Sequence, residues 1–130
     1  MAKILVVEDH ADSRDLVRLV LETEGYTITE ASTAEDGVKL AKSESPDLIL
    51  MDVSLAGKFD GLEATKMLRE DLRFRKTPII ALTAHVLKQD KEVILSAGFD
   101  NYLSKPIIDF EEFKSRIAVW LKESVNGNTV

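Results

Sequence analysis

A repeated alternation of strand-like and helix-like segments constrains the fold of this chain more than any other feature. Residues 4–7, 48–51 and 79–82 are apolar at every position, as in strands buried on both faces of a parallel sheet. Weaker strand patterns cover residues 26–31 and 101–103, and each pattern is followed by apolar residues at helical spacing. Five βα units predict an open, doubly wound α/β sheet with helices on both faces. The 130 residues form one domain and are far too few for a closed eight-stranded barrel.

Local signals predict where several helices begin and end. Ser32 opens a Ser-Thr-Ala-Glu sequence, and Asp109 precedes Glu112 by three residues, so both positions have the pattern of a capping box. We expect Gly98 to terminate a helix. The domain is predicted to span residues 1–124, followed by a flexible tail at 125–130. A basic group is expected to form a solvated helix end: Lys66, Arg69, Arg73, Arg75 and Lys76.

Charge and composition exclude several classes of function. Acidic residues outnumber basic ones by 23 to 17, and the net charge of −6 disfavours binding to nucleic acid or to an anionic membrane. The absence of cysteine excludes disulfides, thiolate zinc sites and thiol nucleophiles. No apolar run reaches the length of a transmembrane helix, and the start shows no cleavage pattern. We therefore expect a soluble, cytoplasmic domain without membrane insertion.

Polar side chains that can carry chemistry follow four of the five predicted strands. Ligands of an open α/β sheet bind beyond the carboxyl ends of the strands, where the strand order reverses. The second strand ends in Ala31 and Ser32 and offers little there. The other four strands deliver these residues to one edge of the sheet: Glu8, Asp9, Asp52, Thr83 and Lys105.

This set of side chains predicts phosphoryl transfer onto an aspartate. Carboxylates gathered at one edge repel one another unless a cation lies between them, and Mg²⁺ suits a site of a few carboxylates plus phosphate. Asp52 can act as the nucleophile, forming an acyl phosphate. Lys105 supplies a positive charge and Thr83 a hydroxyl donor for the phosphoryl oxygens.

The sequence resembles the receiver domain of two-component response regulators over residues 3–124, in particular the single-domain regulators of the chemotaxis kind. The resemblance implies the strand order 2-1-3-4-5 of a flavodoxin-like sheet. The matching motifs, in order, are Glu8-Asp9 after the first strand, Asp52 after the third, Asp60-Gly61, Ala81-Leu82-Thr83-Ala84, and Lys105-Pro106.

The resemblance implies roles for the acidic residues. Asp52 would be the phospho-acceptor, and Asp9 a direct ligand of Mg²⁺, which Mn²⁺ can replace. Glu8 would act on the metal through water, and the backbone carbonyl of Ser54 would be a further ligand.

The resemblance also implies how phosphorylation is sensed. Thr83 and Lys105 would contact the phosphoryl oxygens, and Tyr102 would be an aromatic switch residue that moves as Thr83 engages the phosphate. The Lys105-Pro106 bond is implied to be cis. Three residues occupy modulating positions: Ser54, His85 and Pro106.

Two features near the predicted site depart from the family pattern or lie outside it. Leu55-Ala56 replaces the usual Met-Pro pair after the acceptor, and Gly57-Lys58-Phe59 makes this loop one residue longer. His10 follows the acidic pair, and we expect it to face solvent at the mouth of the site rather than to act as a ligand or a phosphohistidine.

Two other classes of protein use a similar arrangement but fail at named residues. A phosphatase of the haloacid dehalogenase type would have a second Asp two residues after the nucleophile, where this chain has Ser54. A flavodoxin-like electron carrier would have a Ser-, Thr- and Gly-rich phosphate loop after the first strand, where Glu8-Asp9 would repel the flavin phosphate.

The resemblance implies a protein partner on each side of the reaction. A histidine kinase or a histidine phosphotransfer protein would donate the phosphoryl group. The output would be a protein bound by the fourth helix, fifth strand and fifth helix. Because the chain ends soon after the fifth helix, we expect a stand-alone regulator or phosphorelay intermediate, which is an enzyme only towards its own aspartyl phosphate. The alternative is a phosphate-independent adaptor with a receiver fold.

Overall fold

The computed structural model describes residues 2–55, 57–84 and 88–128 of the chain. Two residues discussed in the sequence analysis, His85 at a modulating position and Ala56 in the loop after the acceptor, therefore lie outside the described residues. Strands and helices alternate throughout. They are β1 (Lys3–Val7), α1 (Ala11–Glu22), β2 (Thr27–Ala31), α2 (Ala34–Glu44), β3 (Leu48–Asp52), α3 (Gly61–Glu70), a 3₁₀ helix (Leu72–Phe74), β4 (Ile79–Thr83), α4 (Lys88–Ala97), β5 (Asn101–Ser104) and α5 (Phe110–Asn128).

The strands form one parallel sheet in the order β2-β1-β3-β4-β5. The predicted fold class and strand order are confirmed. The chain moves from β1 outward to β2 on one side, and from β3 outward to β4 on the other. The carboxyl ends of β1 and β3 therefore flank the point where the strand order reverses, which is where such sheets bind ligands.

Alternate residues of the central strands fill two separate cores. On one face, Leu5, Ile49 and Met51 pack with the buried sides of α2, α3 and α4. On the other face, Ile4 and Leu50 pack with α1 and α5. All five residues are at most 1% exposed, which explains why these strands are apolar at every position.

The start of α2 lies one residue later than the sequence pattern indicates. The predicted cap, Ser32, does not fill this role. Thr33 is the N-cap, and its hydroxyl accepts a hydrogen bond from the Asp36 amide. Thr33 lies two residues after the last residue of β2, in extended backbone, where a hydroxyl can reach the first free amides of the helix. Ser and Thr are both good caps, so the sequence alone could not choose between them.

Gly61 allows α3 to begin directly against the end of β3. A Cβ on Gly61 would lie 2.0 Å from the backbone oxygen of Asp52 and 3.1 Å from the Cα of Val53. Asp60 caps the helix by accepting a hydrogen bond from the Glu63 amide. The Asp60-Gly61 motif of the family resemblance thus opens α3, and the close approach fixes the position of α3 relative to Asp52.

The prediction that Arg69 belongs to a solvated helix end is wrong. Its side chain links α3 to the connection before β4 and to the connection between α4 and β5. Its side chain is 19% exposed, and its guanidinium donates to the backbone oxygens of Phe74, Thr77 and Gly98. It also forms a 2.7 Å ion pair with Asp100. A planar group with five donors can bind these three backbone oxygens and the Asp100 carboxylate together.

The last helix begins where the sequence predicts and extends further than expected. The Asp109 carboxylate accepts a hydrogen bond from the Glu112 amide, so the predicted cap is confirmed. α5 continues to Asn128 and thus covers part of the segment 125–130, whose flexibility stays a prediction. Among the described residues, no helix combines the length and apolar character needed to cross a bilayer.

Candidate functional site

The ends of β1, β3 and β5 bring two acidic side chains and one basic side chain together. Glu8 follows β1, Asp52 is the last residue of β3, and Lys105 follows β5. Glu8 is fully buried and Asp52 is 2% exposed, whereas Lys105 is 18% exposed. The Lys105 ammonium donates to Asp52 Oδ2 at 2.9 Å and to Glu8 Oε1 at 3.1 Å. The lysine thus supplies the positive charge that two buried carboxylates require.

The two buried carboxyl groups differ in their readiness to ionise. Burial, reinforced by a hydrogen bond with Asp52 and by the Asp52 charge, raises the pKa of Glu8 from 4.5 to about 7. Burial acts on Asp52 in the same direction, but hydrogen bonds from Glu8, Lys105 and the Ser54 amide outweigh it and lower the pKa of Asp52. Asp52 is therefore the ionised member of the pair, and Glu8 is the member that holds a proton below about pH 7.

The raised pKa of Glu8 predicts that the metal-free protein loses stability between about pH 5 and pH 8. A carboxyl group with a raised folded-state pKa stabilises the fold fully below its unfolded value of 4.5, and this stability disappears as the pH rises through about 7. The loss is at most about 3 kcal/mol in the free energy of unfolding. Urea unfolding in the presence of a chelator, repeated across this pH range, measures it.

The Glu8→Gln variant is the control for this pH dependence. Glutamine mimics the protonated acid, since it can donate to Asp52 and accept from Lys105 without titrating. Its stability profile should lack the decline that the wild type shows. Parallel profiles for the two proteins would refute the assignment of this titration to Glu8.

The acidic residues have the donor set and spacing of a divalent-cation site. Single ligand atoms of Glu8, Asp9, His10 and Asp52 lie within 4.8 Å of one another. Asp9 Oδ1 is buried, and within the described part of the chain no hydrogen-bond donor satisfies it. A buried acceptor without a donor is costly unless a cation or water occupies the place of the donor. The residues present therefore fit a hard divalent cation such as Mg²⁺.

The structure also places the remaining predicted site residues that it describes. The Ser54 amide donates to Asp52 Oδ1 at 2.9 Å, which orients the carboxylate. Thr83 is 7% exposed at the end of β4, and its backbone oxygen accepts from the Lys105 amide at 2.8 Å. Tyr102 is half-buried on β5, where it pairs in the sheet with Ala81 of β4. The Lys105-Pro106 bond is cis, as the resemblance implied.

The longer loop after β3 is fastened to α2. The Lys58 amide donates to Glu35 Oε1 at 3.1 Å. Gly57 has a φ of +121°, a backbone conformation that favours glycine, and a Cβ there would lie 3.0 Å from the same oxygen, so that Glu35 would have to shift slightly. Leu55 is buried, and Phe59 packs against the α2–α4 core. Together these contacts hold a loop that lacks the usual proline.

Removing the Glu35 carboxylate should loosen this loop without disturbing α2. In the Glu35→Ala variant the Lys58 amide loses its acceptor, and its hydrogen exchange is expected to accelerate by about three- to tenfold. Asp36→Ala is the matched control, because Asp36 is exposed in the same first turn and the Thr33 cap binds its backbone rather than its side chain. Equal exchange at Lys58 in both variants would show that Glu35 does not hold the loop.

An open α/β sheet with an aspartate, an acidic pair and a lysine at its switch point defines a class of signalling domains. The sequence matches the family model of the response regulator receiver domain over residues 4–118. The chain therefore belongs to the response regulator receiver domain family.

Individual relatives agree with this assignment. The polar-differentiation response regulator DivK of Brucella ovis is 39% identical over 104 residues, which cover 80% of this chain and 84% of DivK. The receiver domain of the sensor histidine kinase PA1611 from Pseudomonas aeruginosa, solved with a magnesium ion in its active site cleft, is 35% identical. It aligns over 93% of this chain and 98% of its own with a TM-score of 0.85. The chemotaxis protein CheY4 of Vibrio cholerae is 27% identical, with a TM-score of 0.84 over 91% of this chain and 97% of its own.

Two contacts near the site could not be predicted from the sequence. His10 is 73% exposed, as expected, but its Nδ1 lies 3.0 Å from Asp9 Oδ1. Glu35 reaches a loop 23 residues further along the chain. Neither contact follows a local spacing rule, since each depends on how a helix start meets a loop after packing. The glycine in the inserted loop was the only available signal for the second.

Proposed function

We propose that this chain accepts a phosphoryl group on Asp52 and uses it to change a protein-binding surface. The observation that carries the proposal is the Asp52 carboxylate itself. It is 2% exposed, lies at the switch point of the sheet, and is held by the Lys105 ammonium at 2.9 Å and the Ser54 amide at 2.9 Å. A carboxylate fixed in this way is pre-positioned as a nucleophile.

The transfer forms one bond and breaks another. A carboxylate oxygen of Asp52 attacks the phosphorus of a phosphohistidine, the phosphorus–nitrogen bond breaks, and the imidazole leaves with the bonding electrons. Lys105 and the Thr83 hydroxyl bind the phosphoryl oxygens and stabilise their charge. Lys105 thereby exchanges a carboxylate partner for a phosphoryl oxygen, which is a short movement for an ammonium on a flexible stem.

The divalent cation would be held by Asp9, Asp52, the backbone carbonyl of Ser54 and, through water, Glu8. When bound, Mg²⁺ supplies charge neutralisation for the phosphoryl oxygens during transfer. The unpartnered Asp9 Oδ1 and the proximity of the acidic ligand atoms support this assignment. The magnesium ion described in the PA1611 receiver domain supports the choice of cation.

The donor in this proposal is a histidine kinase or a histidine phosphotransfer protein in the cytoplasm. The responding surface is formed by α4, β5 and α5, with Thr83 and Tyr102 linking it to the phosphate. Lys91 Nζ lies 5.6 Å from the centre of the Tyr102 ring, so a movement of this ring also changes the position of a charge on α4. A shift between two such arrangements alters which protein the surface binds. The receiver domain is taken to span residues 1–124, acting as a stand-alone regulator or phosphorelay intermediate.

Phosphorylation by a small phosphodonor tests the proposal. The protein is incubated with acetyl phosphate with and without Mg²⁺, and its intact mass is measured. The proposal predicts one added phosphoryl group that requires the cation. A protein that stays unmodified under both conditions would instead fit the phosphate-independent adaptor.

A further inference from the structure

His10 lies beside the acidic ligands, immediately before α1. Its Nδ1 is 3.0 Å from Asp9 Oδ1 and 3.8 Å from Glu8 Oε1. His10 is also the N-cap residue of α1, yet its side chain makes no capping hydrogen bond. The imidazole nitrogen is therefore directed towards the carboxylates instead of the free amides of the helix. Its exposed fraction of 73% leaves the rest of the ring in solvent.

The approach of His10 to Asp9 does not have the geometry of a hydrogen bond. Asp9 Oδ1 is buried and unsatisfied by any donor within the described ranges, although Nδ1 is 3.0 Å away. In the neutral imidazole whose Nδ1 carries no proton, this nitrogen and the carboxylate oxygen both offer lone pairs and repel at this distance, and a cation bound by both atoms removes the repulsion. Neighbouring ligands of an octahedral metal with bonds of about 2.1 Å are about 3 Å apart, which matches the observed separation.

We propose that His10 Nδ1 is a further ligand of the cation bound by Asp9 and Asp52, and that it makes the site selective for first-row transition cations such as Co²⁺. This inference rests on the proposed function of the acidic residues as a metal site. Mg²⁺ prefers oxygen ligands, whereas imidazole nitrogen favours the later first-row metals. A nitrogen ligand should therefore strengthen Co²⁺ binding with little effect on Mg²⁺ binding.

Removing the imidazole separates these two affinities. The metal-free protein and its His10→Ala variant are titrated with Co²⁺ and with Mg²⁺ by calorimetry at about pH 8, where an ordinary histidine is neutral. Alanine does not disturb a side-chain cap, because His10 provides none. Asp12→Asn is the control, since Asp12 is an exposed carboxylate in the first turn of α1 and its loss reports only long-range charge.

The expected result is a change in the ratio of the two affinities. His10→Ala should weaken Co²⁺ binding by about tenfold or more and change Mg²⁺ binding by less than about twofold. Asp12→Asn should weaken both cations by the same small factor. The visible absorption of bound Co²⁺ should differ between wild type and His10→Ala, because a nitrogen ligand changes the ligand field.

Equal Co²⁺ affinities and spectra in wild type and His10→Ala would overturn the inference. Phosphorylation of the same samples with Mg²⁺ and acetyl phosphate shows which claim fails. If Asp52 is modified while His10 has no effect on Co²⁺, only the role of His10 is wrong. If the wild type binds neither cation, the proposed metal site fails and the inference fails with it.

Discussion

Replacing Asp52 by asparagine is expected to abolish phosphorylation of the chain while preserving its fold. Asparagine has the same shape, and its carbonyl oxygen can still accept the 2.9 Å hydrogen bond from the Ser54 amide. A neutral amide is not a nucleophile for phosphoryl transfer, so no acyl phosphate can form. Lys105 keeps Glu8 as its partner at 3.1 Å, and the buried ammonium remains paired. The intact mass after incubation with acetyl phosphate and Mg²⁺ measures the effect.

Asp60→Asn is the matched control for this experiment. Asp60 lies eight residues beyond Asp52 and caps α3 through the Glu63 amide, a role that asparagine fills equally well. This variant should be phosphorylated like the wild type. Modification of Asp52→Asn at the wild-type rate would mean that another residue accepts the group.

Replacing Lys105 by methionine should slow phosphorylation by about a hundredfold or more, the cost of losing one charged donor to a transition-state oxygen. Within the part of the chain that the structure describes, Lys105 is the cation that contacts both buried carboxylates. Without it, the negatively charged phosphoryl oxygens would approach two acidic groups with no ammonium to offset the repulsion. Methionine retains most of the length of the side chain, so packing should change little. The rate of mass gain with acetyl phosphate, followed over time, measures the loss.

The fold should survive this substitution because Glu8 can hold a proton. Without the lysine, no ammonium offsets the effect of burial, so the pKa of Glu8 rises further. Glu8 and Asp52 then hold one proton and one negative charge between them. Lys66→Met, which removes an exposed lysine from α3, should leave the rate unchanged. A wild-type rate in Lys105→Met would refute the role of this ammonium in the transfer.

The sheet could be predicted from the sequence because its strands obey a simple rule. A strand can be apolar at successive positions, such as Ile4 and Leu5, only if helices cover both faces of the sheet. This requirement determines the layer arrangement. The gathering of Glu8 and Asp52 at one edge follows, since the carboxyl ends of parallel strands share an edge. The order of the strands came from the family resemblance and not from the pattern.

What the sequence could not reveal depends on packing between distant segments. Arg69 resembles any surface arginine of a helix end, yet its guanidinium donates to four acceptors from two separate connections, the one between α3 and β4 and the one between α4 and β5. The contact of Glu35 with Lys58, 23 residues further along, likewise depends on packing. His10 and Asp9 are neighbours in the chain, and their approach depends on side-chain conformations that no sequence pattern specifies. Periodicity and capping rules describe one segment at a time and carry no information on such contacts.

The two carboxyl groups next to Lys105 also show that neither residue type nor burial alone decides which acid ionises. Glu8 and Asp52 are both acidic and both at most 2% exposed, yet the pKa of one is raised and that of the other is lowered. Lys105 donates to both groups, but Asp52 also accepts from the Ser54 amide and from Glu8, and together these hydrogen bonds outweigh burial. For Glu8, burial and the Asp52 charge outweigh the effect of Lys105. This asymmetry leaves Asp52 ionised, as the proposed role of this residue as the nucleophile requires.

Chemical mapping of the phosphorylated residue tests the central claim most directly. The protein is phosphorylated with acetyl phosphate and Mg²⁺ and treated with borohydride, which reduces an aspartyl phosphate to an alcohol, and its peptides are then sequenced by mass spectrometry. The account predicts that the reduced residue is at position 52 and that omitting Mg²⁺ removes it. Reduction at another carboxylate, or a phosphate that stays on a serine, threonine or histidine, would contradict it.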